Sequence, residues 1–365
     1  MAVIGSASAF IESTLAQVYK TKDGKDFRGG PSYYMEKALG KRWMGVLFSV
    51  LLIICFAYGF NGLQSYNMSS ALEYYIPGYS ESSYPMIVGL ILAVGTGLII
   101  FGGVHRIGFI TSVMVPIMAG AYLLMGLFTI VTHLPQLPGI FAMILSEAFD
   151  FQAIFGGMAG SAVVIGIKRG LFSNEAGMGS APNAAASASV SHPAKQGMVQ
   201  VISVFIDTLL ICSATAMMLL LSGVQGEAGV LDGIPFVQKA ISANVGTWGI
   251  HFITASIFAF AFSSLIGNYY YAESNILFIK NNKVLLFVFR CTCLLAVFLG
   301  AQADFSLVWN LADITMGCMA IVNIIAILLL GNIALKVLKD YETQKKAGKN
   351  PVFKAENVGI KNTCL

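Results

Sequence analysis

Long apolar stretches separated by short polar connections run through the whole chain. Nine can be distinguished, at residues 1–19, 43–72, 85–101, 107–132, 151–167, 195–222, 247–279, 284–300 and 305–335. A membrane-spanning α-helix needs about 20 mostly apolar residues. The pattern therefore predicts an all-α polytopic membrane protein. We expect a transmembrane domain over residues 1–340 and a basic cytoplasmic tail over residues 341–365.

The charged residues support this prediction and give it an orientation. Only 11% of the 365 residues are charged, whereas a soluble domain carries about 25%. Every Lys and Arg except Lys239 falls in alternate connections or in the tail. Cytoplasmic loops are enriched in these residues, so the bias predicts a cytoplasmic C-terminus. Lys168 and Arg169 belong to this set but lie beside a polar interruption, and the bias persists without them.

That interruption is the stretch GIKRGLFSNEAGMGSAP, residues 166–182. Backbone at membrane depth leaves the helix only where protein or a water-filled cavity satisfies its polar groups. Transporters use such breaks to bind ions and zwitterions. The composition alone fits a cytoplasmic loop at least as well as a substrate-binding break. A phosphate-binding loop is excluded because the spacing GxxxxGK[ST] is absent.

Several segments together resemble a known family. They are GGPSYYMEKALG (29–40), GFNGLQSYNMSSAL (59–72), RGLFSNEAGMGSAPNAAA (169–186), HPAKQGMVQ (192–200), FIDTLLICSATA (205–216) and FSSLIGNYYYAE (262–273). The resemblance is to the alanine or glycine:cation symporters, that is, the sodium:alanine symporters, and it runs essentially end to end. It implies secondary active uptake of a small neutral amino acid with sodium, or with a proton, across the plasma membrane of a prokaryote. It implies no cofactor beyond the coupling sodium ion, and we expect no nucleic-acid partner.

The resemblance also implies a leucine-transporter-type fold of two inverted five-helix repeats, in which the first helix of each repeat is unwound. The nine stretches would then be core helices 2 to 10, and the interruption would be the unwound part of the sixth. Nothing in the chain matches the Gly-Thr-Gly-Asn break of the family's first core helix. The GTG at residues 95–97 is interpreted as a small-residue packing motif. We therefore expect a chain that lacks the family's N-terminal helices.

Candidate substrate contacts lie on three segments, and the resemblance places a substrate-contacting glutamine on the second apolar stretch. Gln64 is the candidate there, although a buried amide also serves to join neighbouring helices. Phe172, Ser173 and Asn174 are expected to occupy the break, with Gly170 supplying flexible backbone. Trp309 is a candidate cap over the site, and its alternative is a membrane-interface anchor.

Charged and hydroxyl side chains within the apolar stretches are the remaining candidates. Glu175 is expected to pair with Lys168 or Arg169, because an unpaired buried carboxylate is costly. Ser263 and Ser264 by themselves would bond the carbonyls of their own helix, but the resemblance makes them sodium ligands. Their partner ligands would come from the first core helix. For three buried carboxylates the default expectation is interhelical hydrogen bonding: Glu12, Asp207 and Asp313.

The three alternative classes are a channel, an enzyme and an inactive member of the same family. A channel would show rings of charge or carbonyls around a symmetric pore, and the sequence has no such signature. An enzyme would need a nucleophile–base or metal constellation, and the four histidines are scattered. The alternative that remains is a transport-inactive remnant, or a membrane partner subunit, of the same family.

Overall fold

The computed structural model describes residues 1–24, 26–102, 104–149, 158–226, 231–361 and 363–364. Its elements are α1 (Ala2–Val18), a hairpin of β1 (Thr21–Asp23) and β2 (Asp26–Arg28), α2 (Pro31–Lys37), α3 (Arg42–Ser70), α4 (Tyr84–Ile100), α5 (Val104–Thr132), a 3₁₀ turn (Leu134–Gln136), α6 (Leu137–Ala148), α7 (Met158–Asn174), α8 (Ala181–Ser187), α9 (Pro193–Leu221), α10 (Gly233–Val245), α11 (Trp248–Ile279), α12 (Lys283–Gly300), α13 (Phe305–Lys346) and α14 (Ala355–Val358). The prediction of an all-α protein is confirmed. Among these residues, six helices are long and apolar enough to cross a membrane.

Helix bounds agree with the apolar stretches at most ends. One difference is α7, which begins at Met158 and continues to Asn174, so the predicted stretch 151–167 ends too early. The first seven residues of that stretch lie outside the described residues. The other difference is α13, which continues to Lys346 because its last turns are rich in Lys, Glu and Gln, good helix formers although polar. The predicted domain boundary at residue 340 therefore falls inside a helix.

Antiparallel helix pairs form the centre of the molecule. Along α3 and α11 the contacts run in opposite directions: Asn61 bonds Asn268, Phe56 packs on Tyr271, and Ser49 bonds Asn275. Helix α1 packs against α9, and α4 packs against α12. The buried aromatic face of α3 fills the space between α11 and α13.

Helices α3 and α9 each contain a π-helical stretch, Ile53–Phe60 and Ile206–Cys212. In a π-helix the hydrogen bond spans five residues, so each stretch holds more residues per turn than the α-helix around it. Such bulges often occur at functional sites. Here Phe60 ends the first stretch and Asp207 lies in the second, and both side chains contact α7.

The C-terminal tail folds back on the connection between α8 and α9. The N–H of Phe353 donates to the carbonyl of Ser191 over 2.9 Å, and the Lys195 ammonium donates to Asn350 over 2.8 Å. The buried His192 ring packs against Phe353. Its Nε2 lies 3.2 Å from a carboxylate oxygen of Asp340, near the end of α13. We call these contacts the tail clasp.

Candidate functional site

The chain leaves the helix between α7 and α8, over residues 175–180. The prediction that Phe172, Ser173 and Asn174 occupy this break is wrong, because all three form the last turn of α7. Their turn stays helical because its polar side chains have partners on α9. Ser173 donates to Asp207 over 2.6 Å, and the Asn174 amide donates to the Thr208 hydroxyl over 3.2 Å.

Two glycines make the break possible. Gly177 and Gly179 have φ values of 86° and 85°, a region that side chains other than glycine rarely adopt. A Cβ at Gly179 would also lie 2.8 Å from both Phe48 and Asn323. The broken segment therefore passes between α3 and α13 with no space for a side chain at this point.

Three aromatic rings from three helices meet just before the break. The centroid of Phe172 lies 4.9 Å from that of Phe60 on α3 and 5.2 Å from that of Trp309 on α13. Gln64 follows Phe60 by four residues, so the two side chains share a face of α3. The structure thus places Phe172 against Phe60 and Trp309. Gln64 lies one turn after Phe60 on α3. Gly170 lies one turn before Asn174 and packs against the side chain of Met1.

An ion pair between α7 and α13 lies beside this aromatic group. Arg169 bonds Asp313 of α13, and Lys168 lies 3.5 Å from the same carboxylate. The Arg169 guanidinium also covers the Trp309 ring at 4.2 Å. The expected partner of these cations, Glu175, instead accepts a 2.6 Å hydrogen bond from Ser180. Asp313 is closer in space because α13 runs beside α7, whereas Glu175 lies beyond the end of the helix.

The structure also separates Lys168 and Arg169 from the cations of the predicted connections. The cation-rich connection that follows α1 lies beside the end of α8, where Lys20 donates to the carbonyl of Ala188 over 2.9 Å. Lys168 and Arg169 precede the break and lie on its opposite side, inside a helix. They do not belong to a connection between helices. The charge bias that remains rests on the other cations.

Ser263 and Ser264 lie in the middle of α11. The Ser263 hydroxyl donates to the carbonyl of Phe260 over 2.8 Å, the bond within its own helix that isolated serines commonly make. Ser264 precedes Asn268 by one turn, and Asn268 bonds Asn61 of α3 at 3.0 Å. Because α3 and α11 are antiparallel, Ser264 lies at the level of Gln64.

Carboxylates and amides in the spans mostly join helices, as expected. Asp207 joins α9 to α7, and Asp313 joins α13 to α7. Asn61 accepts from Asn268 and donates to Cys293 of α12. Glu12 joins α1 to the broken segment and to α13 through the backbone of Gly177 and the amide of Asn323.

Asn323 was not predicted as part of this arrangement. Its amide nitrogen donates to Glu12 over 2.8 Å and to the carbonyl of Gly177 over 3.0 Å, and its oxygen accepts from Tyr34. The signal in the sequence was the same as for Gln64. Both are amides within charge-free apolar runs, where unpaired polar groups are costly.

A helix broken at membrane depth, flanked by aromatic rings and buried polar side chains, is the arrangement of a secondary transporter. The sequence comparisons agree with this class. The family model described as the sodium:alanine symporter family matches residues 1–355, and the chain belongs to that family. It is a family of membrane transporters and not of enzymes, and sodium is its coupling ion.

Individual relatives are similar over nearly the whole chain. The amino-acid carrier protein AlsT of Bacillus subtilis is 48% identical over 99% of this chain and 76% of its own length. The probable sodium/glutamine symporter GlnT of the same organism is 49% identical over 97% of this chain and 73% of its own. The sodium/alanine symporter AgcS of Methanococcus maripaludis is 34% identical over 96% of this chain and 77% of its own length.

Proposed function

We propose that the protein takes up a small neutral amino acid, alanine or glycine, together with sodium by alternating access. The observation that carries this proposal is the junction of Phe172, Phe60 and Trp309 at the last turn before the break. Three rings from three helices can close over a small side chain, whereas a long one would force them apart. Carbonyl oxygens at the end of α7 lack helical partners and can accept hydrogen bonds from a substrate ammonium.

The substrate contacts follow from this placement. Phe172 and Trp309 cover the substrate, and Gln64 offers an amide from α3. Ser173 and Asn174 keep the last turn of α7 attached to α9, which fixes the direction of its free carbonyls. Gly170 supplies flexible backbone on the preceding turn of α7, where its missing side chain lets Met1 approach.

For sodium, we propose Ser263 and Ser264 together with backbone carbonyls. Support comes from the register of α3 and α11, which sets Ser264 level with Gln64. An ion at that height would lie near the substrate.

Helix pairing supports the inverted-repeat fold. If the nine predicted spans are core helices 2 to 10, the equivalents in the two repeats are α1 and α9, α3 and α11, α4 and α12, and α5 and α13. The first three of these pairs are in contact along their helices. Elements related by an axis in the membrane plane run in opposite directions, and the α3–α11 contacts do so.

The energy for uptake would come from the sodium gradient. One charge moving through about 100 mV contributes about 2.3 kcal/mol, before the concentration gradient is counted. A transport-inactive remnant is not favoured, since the family match extends through residues 1–355. The orientation with a cytoplasmic C-terminus and the location in a prokaryotic plasma membrane complete the proposal.

Uptake into proteoliposomes tests the function directly. Labelled alanine, glycine and glutamine are offered with and without an inward sodium gradient, and uptake of alanine or glycine that needs the gradient is expected. Glutamine accumulation above both small amino acids would contradict the small-substrate proposal. Absence of sodium-dependent uptake of all three would contradict the function.

Two substitutions test the site. Phe172→Ala and Gln64→Ala are each expected to raise the KM for substrate by about tenfold or more, which corresponds to about 1.4 kcal/mol of lost binding. The matched controls are Phe287→Ala, an exposed aromatic on α12, and Gln302→Ala, whose amide bonds the Phe298 carbonyl at the end of α12. Unchanged kinetics in both site variants would remove this site from the proposal.

A further inference from the structure

Glu12 is a fully buried carboxyl in the middle of α1. It lies on a stripe with Gly5 and Ser8, the face of α1 that the broken segment covers: Ala176 approaches Gly5, and Gly177 approaches Ser8. The carboxyl thus lies between the break and α13. No part of the function proposed above uses it.

Each oxygen of Glu12 receives a hydrogen bond, and these two donors come from different elements. The Gly177 N–H donates to Oε1 over 3.1 Å, and the Asn323 amide donates to Oε2 over 2.8 Å. Asn323 uses its second N–H on the Gly177 carbonyl, and its oxygen accepts from Tyr34. If the Asn323 amide were flipped, its oxygen would face the Gly177 carbonyl oxygen and Glu12 Oε2. The orientation of this amide is therefore fixed. Glu12, Gly177 and Asn323 form a closed triangle.

No cation balances this carboxyl among the ion pairs of the described residues. The titratable groups that face it are the Glu175 carboxyl of the broken segment and the Tyr34 phenol of α2. Helices α8 and α9, which also pack on α1, bring the uncharged Ala185 carbonyl to Gln17 and Gly197 to Thr14. A buried carboxylate without a counter-charge costs several kcal/mol. Hydrogen bonds from Gly177, from Asn323 and from the Gly179 backbone offset that cost.

The donors also decide what the carboxyl can bind. A metal ion needs several oxygen ligands around it, whereas the groups that face this carboxyl, Gly177 and Asn323, point hydrogens at it. A proton needs only one free lone pair, and the donors leave at least one of the four. The chemistry of the triangle therefore fits a proton and not a metal ion.

We propose that Glu12 is a proton-binding site whose occupancy follows the position of the broken segment relative to α13. With the triangle closed, neutral donors hold the carboxylate. When the segment moves away from α13, the carboxylate loses a donor at a place where the described residues form no ion pair with it. It then takes a proton from hydronium in the cavity: one O–H bond of hydronium breaks, one O–H bond forms on Glu12, and water remains. Closure returns that proton to water. The proposal rests on the alternating access proposed above, since that movement opens the triangle.

Infrared difference spectroscopy of the purified full chain in detergent measures this site without requiring transport. The carbonyl-stretch band of a protonated carboxylic acid is followed as the pH is lowered. Wild type is expected to show a titrating band that Glu12→Gln lacks, because an amide does not titrate. Asn323→Ala removes one donor, so its band is expected to titrate at a midpoint higher by about one pH unit. The matched control is Glu36→Gln, at a carboxylate paired with Arg42 outside the spans, and it should keep the Glu12 band.

The proposal is overturned if the Glu12→Gln spectrum titrates like wild type, or if Asn323→Ala leaves the midpoint unchanged. Asn323→Ala retains Glu12 and carries the test where Glu12→Gln does not fold. A second arm measures sodium-driven uptake against pH. Wild type should show a pH dependence that Asn323→Ala shifts upward, and a flat wild-type profile contradicts the link to movement. Failure of uptake in wild type would refute the proposed function, while the infrared titration would still decide whether Glu12 binds a proton.

Discussion

The two halves of the broken helix are held in different ways. Helix α8 is fixed by buried amides: Gln17 donates to the carbonyls of Ala185 and Ala188, and the Asn275 amide donates to Asn183 over 3.0 Å. Helix α7 has exposed apolar side chains along its early turns, such as Val163, and is held near its end by a few side-chain contacts. The difference indicates that α7 is the half that can move at low cost, while α8 stays with α1 and α11.

The largest expected effect is at α8. Asn183→Ala removes the donor to the carbonyls of Gly179 and Ser180 and takes away one of the two acceptors of the Asn275 amide, which keeps the Tyr271 carbonyl. Buried groups left unpaired cost about 1–3 kcal/mol each, so we expect a loss of about 2–4 kcal/mol in the free energy of unfolding, measured by denaturant titration in micelles. The control Ser187→Ala, exposed and bonded to its own helix, should lose less than about 0.5 kcal/mol. Equal losses would contradict the anchoring of α8.

A smaller effect is expected at α7. Ser173→Ala removes one partly buried hydrogen bond to Asp207 and should cost about 1 kcal/mol, measured in the same titration. Ser213→Ala, whose exposed hydroxyl bonds a carbonyl of its own helix, is the matched control. A cost at Ser173 as large as that at Asn183 would remove the difference between the two halves.

The ion pair between α7 and α13 should contribute less again. The Arg169 side chain is 37% exposed, and partly exposed pairs are typically worth about 0–1 kcal/mol. A double-mutant cycle of Arg169→Ala and Asp313→Ala measures the coupling energy directly, and raising the salt concentration should reduce it. A coupling above about 2 kcal/mol would show that α7 is fixed as firmly as α8.

The smallest effect on global stability is expected at the tail clasp beyond α8. Burial lowers the pKa of His192, with Asp340 opposing the shift and Lys195 adding to it. Its Nδ1 accepts from the Ala194 N–H, so Nε2 carries the hydrogen that faces Asp340. A lowered pKa means that the unfolded state binds the proton more readily. The clasp is therefore complete above the ordinary histidine pKa of about 6.5 and weakens as the pH falls below it.

Hydrogen exchange of the tail reports that local opening. Exchange of the Phe353 amide should accelerate on acidification relative to other tail amides, after correction for the intrinsic pH dependence of exchange, with little change in global unfolding. Tyr341 also packs on the His192 ring, so the control Tyr341→Phe keeps the ring contact and should behave as wild type. Faster exchange at high pH instead would reverse the assigned sign.

Much of this architecture could be predicted from the sequence because apolar length alone determines where a span begins. The interruption at residues 166–182 was also visible, but its boundary was not. Helix α7 continues to Asn174, where Asp207 and Thr208 of another helix bond its last turn, and these contacts join residues more than 30 positions apart. The same reason explains the wrong partner for Arg169. Sequence proximity favoured Glu175, whereas the helix packing provided Asp313.

The π-helical stretch Ile53–Phe60 has a practical consequence for anyone engineering α3. Arg42–Leu52 is a regular α-helix, and the wider turn that follows it holds about one extra residue. Every later side chain is therefore rotated by roughly 100° around the helix axis from the direction that a continuous α-helix would give it. Spectroscopic labels or cysteine cross-links chosen by counting heptads from the start of α3 would therefore point away from α11 once they passed Phe60. Pairs should be numbered backward from Ser70 instead.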